Sequence, residues 1–354
     1  MREKQLYLKI YEKIKNEIIN KDYRYGDKLP SKRVTADDNM VSVITVQHAY
    51  ELLCDEGYVE ARERSGYFVI YKEEDFLGNY EADISFEPYN NEMPHSMDEI
   101  SYNALLKTMR KVMLDYGERL LVKSPNEGCF ELRSELQKYL AISRGIHVGV
   151  DQIIIGAGAE YLYSLVALLF DHEDTFAIEK PSYEKIAQVY RSLGHSIDYL
   201  EMGPDGIKSG ELRRSDARIL HVTPFHSYPS KITASISKKN EYLSFAANDG
   251  YVIEDNYDSE LTVSRKIEDS LFSLAEGKNV IYINTFSKTI APSIRVGYMI
   301  LPVSLLEKFQ KKLGFYSCTV PVFEQYLICE LLRSGDYQRH INRLRRRLRQ
   351  AADS

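Results

Sequence analysis

Apolar residues at the start of the chain recur at helical spacing and then give way to alternation. In residues 5 to 20, QLYLKIYEKIKNEIIN, Leu6, Ile10, Ile14 and Ile18 fall on one face of a helix whose other face is charged. Tyr25, Gly26, Asp27, Leu29 and Pro30 then turn the chain. Ser31 is placed to cap a second, short helix, and Ser42 a third running from about Val43 to Glu56, because a serine hydroxyl accepts from the unpaired N–H groups of a helix start. GYVEARERSGYFVI, turning at Arg64, Ser65 and Gly66, reads as two short strands. This order predicts a winged helix-turn-helix.

Residues 72 to 83, KEEDFLGNYEAD, are charged, carry one glycine and show little apolar pattern, as expected of a linker. Beyond it, short buried runs alternate with helical stretches. Leu132, Leu136 and Leu140 share a helix face, and QIIIG at 152 to 156 is a strand. TFAIEK is a second strand, broken by Pro181 before a helix starting near Tyr183. RILHV from 218, YVIE from 251, Val280 to Ile283 and Val296 to Leu301 follow. The alternation predicts an α/β unit with a mostly parallel sheet. The expected domains are a head at 1–71, a linker at 72–83 and a body at 84–354.

Composition narrows the class. A chain of 354 residues exceeds one ordinary domain, and 44% hydrophobic with 28% charged residues is a globular balance. Residues 1–72 hold 13 Lys and Arg against 12 Asp and Glu, a net +1, which leaves −7 for the remainder of a chain of net charge −6. A near-neutral head on an acidic body permits nucleic-acid binding by the head without demanding it. Cys54, Cys129, Cys318 and Cys329 form no CxxC pair, so buried thiols in a reducing compartment are expected, with neither a disulfide scaffold nor a metal site. The start, MREKQLYLKI, lacks a signal-peptide core, and no run approaches the roughly 18 apolar residues of a membrane span. A cytoplasmic location and no membrane partner are expected.

Candidate chemistry gathers at the strand ends. In NVIYINTFSKTIAPSIRVGYMILP, Lys288 sits in a polar turn with Thr285, Ser287 and Thr289, between two apolar strands and ahead of Arg295. A lysine desolvated there loses its proton easily, as a Schiff-base lysine requires; the alternative is a solvated turn lysine. Upstream, GYVIEDNYDSE sets Asp255 and Tyr257 at the carboxyl end of another strand, where open α/β sheets hold ligands. A carboxylate there keeps a pyridine nitrogen protonated, and the pair of clusters describes a site for pyridoxal 5'-phosphate. Gly156, Ala157, Gly158, Ala159 and Glu160 form a small-residue turn from strand to helix whose N–H groups suit a phosphate.

These motifs carry a resemblance. Residues 84 to 350, with SPNEGCFELRSELQKYLAISRG at 124 to 145, resemble the fold-type I aminotransferases, which are pyridoxal-phosphate-dependent transferases. Residues 5 to 70, with LPSKR, VSVITV, AYELLCDEGYVE and RSGYFV, resemble the winged domain of the GntR regulators. The fusion is the layout of the MocR-type transcriptional regulators. By position, the resemblance implies DNA contacts at Arg33, Ser42, Thr45, Arg64, Ser65 and Gly66. It implies Lys288 as the Schiff-base lysine, Asp255 at the ring nitrogen and Tyr257 at the phenolic oxygen. Phosphate would be held by the Gly158 turn, Thr285 and Arg295, with an aromatic at Tyr183 over the ring and Lys185 facing the substrate or effector. His226, in a His-Ser-Tyr-Pro run, is implied near the phenolic oxygen. A homodimer on double-stranded DNA, answering to an amine or amino acid, is implied likewise.

The chain also departs from the family pattern. Val43 stands where an arginine is usual, Thr35 and Asn39 where leucines turn inward, and Ser227 where a glutamine is usual. A polar side chain in so small a core needs a partner or costs about 1–3 kcal/mol. The family's small C-terminal domain, with its carboxylate-clamping arginine, has no counterpart after DYQRHINRLRRRLRQ, whose arginines read as a solvated helix face. A C-terminally truncated body is therefore expected, with apolar surface uncovered. Three readings follow: a regulator whose body senses an amine or the cofactor, a working aminotransferase with an accessory head, and a truncated remnant.

Overall fold

The computed structural model describes residues 2–72, 100–247, 249–261 and 269–352, with side chains from 6 to 351. The chain divides into two compact units, Met1–Asn91 and Glu92–Ser354. From residue 73 on, the stretch expected as a linker lies outside the described residues, as does the body's start up to residue 99.

The smaller unit holds α1 (Arg2–Ile19), α2 (Lys32–Asp38), α3 (Val43–Asp55) and an antiparallel hairpin of β1 (Val59–Arg62) and β2 (Gly66–Val69). Ile10, Ile14 and Ile18 pack with Leu29, Ala36, Val46, Leu53 and Val69 into one core. Leu6, a turn before Ile10, stays exposed. The Ser31 hydroxyl accepts from the Val34 N–H at 3.3 Å and the Ser42 hydroxyl from the Thr45 N–H at 3.1 Å, so both expected caps form. The two polar residues at core positions find partners. The Thr35 hydroxyl pairs with that of Tyr50 at 2.8 Å, and Tyr50 donates on to the Pro30 carbonyl at 2.9 Å. Asn39 ends α2 and donates to the Thr35 carbonyl at 2.7 Å. Their desolvation cost is therefore offset.

The larger unit is an eight-stranded sheet between two helical layers. Its strands are β3 (Ile153–Gly156), β4 (Phe176–Lys180), β5 (Ile197–Gly203), β6 (Gly206–Ile207), β7 (Ile219–Val222), β8 (Tyr251–Asp255), β9 (Val280–Thr285) and β10 (Gly297–Ile300). They lie in the order β3-β10-β9-β8-β7-β4-β5-β6. From β9 to β5 neighbours run parallel, while β10 is antiparallel to both β3 and β9. The helices are α4 (Tyr102–Tyr116), α5 (Phe130–Arg144), α6 (Ala159–Leu169), α7 (Glu184–Ser192), α8 (Ser209–Arg214), α9 (Ile236–Phe245), α10 (Leu271–Leu274), α11 (Val303–Leu313), α12 (Val322–Arg333) and α13 (Asp336–Ala352).

Alternation along the strands sorts the two layers. Ile253, Ile281, Ile283 and Met299 pack with α6, α7 and α11, while Val252, Val280, Tyr282 and Ile300 pack with α5, α9, α12 and α13. Leu132, Leu136 and Leu140 are fully buried, as their spacing predicts. The basic helix α13 is not solvated all round. Tyr337, Ile341 and Leu344 enter the core, and Arg345 Nε donates to the Glu260 carbonyl at 2.6 Å.

Register gathers the strand ends. Asp255 lies opposite Ile283, Thr285 opposite Gly297, and Gly297 opposite Gly156. The carboxyl ends of β3, β7, β8 and β9 thus open on one edge of the sheet, where doubly wound folds bind ligands.

Candidate functional site

A cavity of about 310 Å³ opens at that edge, lined by Ala159, Glu160, Tyr163, Tyr183, Ile186, Thr223, Tyr228, Asp255, Tyr257, Thr285, Ser287, Lys288 and Arg295. The fold brings Lys288 and Asp255 together from adjacent strand ends. Lys288 Nζ stands 5.8 Å from the centre of the Tyr257 ring. Gly158, Lys185 and His226 are the candidate body residues outside this lining.

The floor is a buried chain of hydrogen bonds. Tyr163, on the inner face of α6, donates its hydroxyl to Asp255 Oδ2, and Asp255 Oδ1 accepts from the Tyr257 N–H at 3.2 Å. His221 Nε2 lies 3.8 Å from Asp255 Oδ2 and makes no hydrogen bond among the described residues, while its Nδ1 pairs with the Tyr190 hydroxyl at 2.7 Å. Burial first, then the charge of Asp255, pushes the Tyr163 and Tyr190 phenols well above their ordinary value. Both phenols therefore stay protonated at neutral pH; Tyr163 holds the acid directly, while Tyr190 holds the His221 ring that stands behind it. The Tyr257 phenol is pushed up to about 12 by burial and by Asp258 and Asp255, and its hydroxyl donates to the His226 carbonyl at 3.0 Å.

A second buried acid stands beside the floor. Glu179, at the end of β4, accepts from the Ser227 hydroxyl at 2.6 Å and from the Thr223 N–H at 3.2 Å. Burial raises its pKa to about 8. Ser227 thus joins the loop after β7 to β4. His226 has a left-handed backbone, φ 47°, and its Nδ1 lies 3.4 Å from Asp258 Oδ2, so its ring is engaged outside the cavity wall.

The rim carries the charges. Arg295 Nη2 meets Glu160 Oε2 at 2.6 Å and Lys185 Nζ meets Glu160 Oε1 at 2.9 Å. Burial alone would raise the Glu160 pKa, but Lys185, Arg295 and its own backbone N–H outweigh that and hold it below the usual carboxylate range. Gly158, with φ 90°, begins α6, and any Cβ there would come within 2.7 Å of Arg295 Nη2. Glycine is thus what allows the guanidinium across the helix start. Arg295 Nη1 reaches the Ser287 hydroxyl at 3.4 Å. Tyr183 and Tyr228 meet edge-on at the mouth, ring centres 6.4 Å apart.

The end of β9 is braced from behind. Asn284 donates to both oxygens of Glu260 at 3.1 and 3.2 Å, and Arg144 Nη2 stands 3.5 Å from Glu260 Oε1 with both side chains buried. Sequence reasoning passed over Tyr163, His221, Thr223 and Glu179. For Tyr163, His221 and Glu179 the sequence signal is a polar side chain on an otherwise apolar strand or helix face, and Thr223 directly follows the apolar β7.

In the smaller unit Arg33, Ser42, Arg64 and Ser65 are exposed, the last two at the hairpin tip, where Gly66 has φ 109°. Thr45 is buried and its hydroxyl pairs with that of Ser42 at 2.8 Å. Val43 and Ile44 present an apolar first turn of α3, and Gln47, one turn on, accepts from Lys32 Nζ at 3.3 Å. Among the described residues, no group of three or more His, Cys, Asp or Glu side chains is placed to hold a metal, and no helix is long and apolar enough to cross a membrane.

A winged helix-turn-helix joined to a transferase-type α/β sheet, with a lysine and an acid at the sheet edge, defines a class of two-part regulators. Comparison with known proteins places the chain within it. Residues 6–69 match the bacterial regulatory proteins of the gntR family, and residues 90–354 match aminotransferase class I and II. The chain is 32% identical to the HTH-type transcriptional regulator YdeL of Bacillus subtilis, covering 96% of this chain and 76% of that one. It is 28% identical to PdxR, the HTH-type pyridoxine biosynthesis transcriptional regulator of Corynebacterium glutamicum, over 91% of this chain and 71% of that one. LysN, the α-aminoadipate aminotransferase of Thermus thermophilus solved with N-(5'-phosphopyridoxyl)-L-leucine, has TM-score 0.63 and 25% identity, over 72% of this chain and 68% of that one. The chain belongs to the MocR-type family: it is a DNA-binding transcriptional regulator with a GntR head and an aminotransferase-like body.

Proposed function

We propose that the body binds pyridoxal 5'-phosphate at Lys288 and senses an amine, an amino acid or the cofactor itself, and that the occupied body sets how the head holds double-stranded DNA. The reading is carried by one observation: Lys288, Asp255 and Arg295 line a single cavity at the sheet edge. The residues fit the group. An acid held by two donors sits at the floor, an amine beside it, and an arginine, two hydroxyls and a helix start at the rim. The orphaned His221 Nε2 adds a polar atom behind the acid.

Bound there, the cofactor supplies an aldehyde for amines and a ring that draws off electrons best when its nitrogen carries a proton. Asp255 would accept a hydrogen bond from that ring N–H and so keep the nitrogen protonated, and Tyr163 and the Tyr257 N–H fix the acid's orientation. Lys288, exposed on the cavity wall, would offer the amine that holds the aldehyde and a base for proton transfer. Arg295, Thr285, Ser287 and the start of α6 hold phosphate, and Tyr183 with Tyr228 guards the mouth. In the head, Arg33, Ser42, Thr45, Arg64, Ser65 and Gly66 are the proposed DNA-contacting positions, arginine reaching base edges and helix-start groups taking phosphate oxygens. Head, linker and body are assigned to 1–71, 72–83 and 84–354, and the working form is a cytoplasmic homodimer. PdxR, by its name a regulator of pyridoxine biosynthesis, and LysN, solved with a phosphopyridoxyl ligand, support a vitamin-derived ligand for this body.

Purified protein supplied with pyridoxal phosphate, amino acids and a keto acid tests the reading. A change in cofactor absorbance without sustained product formation is expected. Steady turnover would favour the aminotransferase reading, and no spectral change would remove the cofactor altogether.

A further inference from the structure

The charge arrangement at the rim goes beyond the family's phosphate cradle. The first turn of a helix attracts anions, through its unpaired N–H groups and its dipole. In this chain that place already holds one. Glu160, the second residue of α6, turns its carboxylate onto Arg295 at 2.6 Å and onto Lys185 at 2.9 Å, and its own backbone N–H helps to hold it charged. Arg295 lies across Gly158, so guanidinium, carboxylate and helix start share one spot.

We propose that Glu160 is a built-in anion of the cradle: it takes the Arg295 partner that an incoming phosphate needs, and so sets how tightly and how exchangeably the site holds a phosphorylated aldehyde. The inference rests on the pyridoxal phosphate reading and deepens it. Two features make the carboxylate displaceable. The side chains of Arg295 and Glu160 are 49% and 31% exposed, so solvent and salt screen the pair. A phosphate monoester carries up to two negative charges against one and has more acceptor oxygens for Arg295, Ser287 and Thr285. Lys185 keeps Glu160 nearby after displacement, because it binds the other carboxylate oxygen. The displaced acid then remains within range of the phosphate and repels it. A site built in this way holds its ligand loosely enough to report its supply, which suits a sensor. It also makes Lys185 a holder of Glu160, with less charge left for an effector carboxylate.

The test compares the full-length protein with Glu160→Gln, which keeps the shape and removes the charge, and with Glu160→Ala. Calorimetric titrations use pyridoxal 5'-phosphate, pyridoxal and inorganic phosphate as separate probes, and thermal unfolding without ligand checks that each variant folds. Glu160→Gln is expected to bind pyridoxal 5'-phosphate and inorganic phosphate about tenfold tighter, roughly 1.4 kcal/mol, and to release the former more slowly on dialysis. Pyridoxal affinity should stay within about twofold, a few tenths of a kcal/mol. Glu160→Ala should shift in the same direction. Equal or weaker binding of the phosphorylated probes by both variants would overturn the proposal, showing that Glu160 orients Arg295 for phosphate. An equal gain for pyridoxal would overturn it as well. Borohydride fixation separates the two levels: no adduct at Lys288 in any form removes the cofactor reading, whereas an adduct in all forms without a phosphate-specific gain removes only the role of Glu160.

Discussion

The floor and the rim of one cavity hold their charges by different physics. At the floor, Asp255 is buried and accepts hydrogen bonds from Tyr163 and the Tyr257 N–H, with His221 behind it. At the rim, Glu160, Arg295 and Lys185 are partly exposed and meet as ion pairs. A buried acid stripped of its donors carries a large desolvation cost, so the floor resists change. A partly solvated ion pair is worth about 0–1 kcal/mol and rearranges readily. The cavity thus joins a fixed acid, suited to a ring nitrogen, to an exchangeable anion place, suited to a ligand that comes and goes.

Asp255→Ala attacks the fixed end. The buried Tyr163 hydroxyl loses its acceptor at about 1–3 kcal/mol and the part-buried Tyr257 N–H loses its own, so this variant should lose several kcal/mol in denaturant unfolding together with any stabilisation by pyridoxal phosphate. Glu179 comes next. Its pKa is raised by burial from 4.5 to about 8, so between these values the folded state binds more protons than the unfolded state and stability falls as pH rises, levelling off above about 8. Relative to Glu179→Gln, the wild type should lose up to about 1.4 kcal/mol per pH unit across that window. A constant difference between the two would show that the acid is not held neutral. Tyr163→Phe removes one donor from Asp255 and should cost about 1–3 kcal/mol. Glu160→Ala should change unfolding by less than about 1 kcal/mol. A rim variant that destabilises as much as Tyr163→Phe would erase the contrast.

The distinction also governs what can be read from the chain. Lys288, Asp255, Tyr257, Thr285 and Arg295 stand at the ends of short apolar strands, and local alternation is enough to find such strands. The caps at Ser31 and Ser42 are equally local. Tyr163 and His221 could not be singled out in this way. Each sits within an apolar element, and only the packing of α6 on the sheet brings the phenol to Asp255, 92 residues on. The same holds for Thr35, whose partner Tyr50 is on the next helix, and for Ser227, which meets Glu179 across 48 residues. His226 belonged to a recognisable run, yet it lies outside the cavity lining with its Nδ1 3.4 Å from Asp258 Oδ2. Local pattern places groups on elements, and long-range packing decides which way they face.

The central claim is that the body captures an aldehyde ligand on one lysine. Full-length protein mixed with pyridoxal 5'-phosphate, reduced with borohydride and digested, gives a direct answer by peptide mass. The account predicts a phosphopyridoxyl mass on the peptide containing Lys288 and its absence in Lys288→Ala. A label spread over surface lysines, or none at position 288 while the protein remains folded, would contradict it.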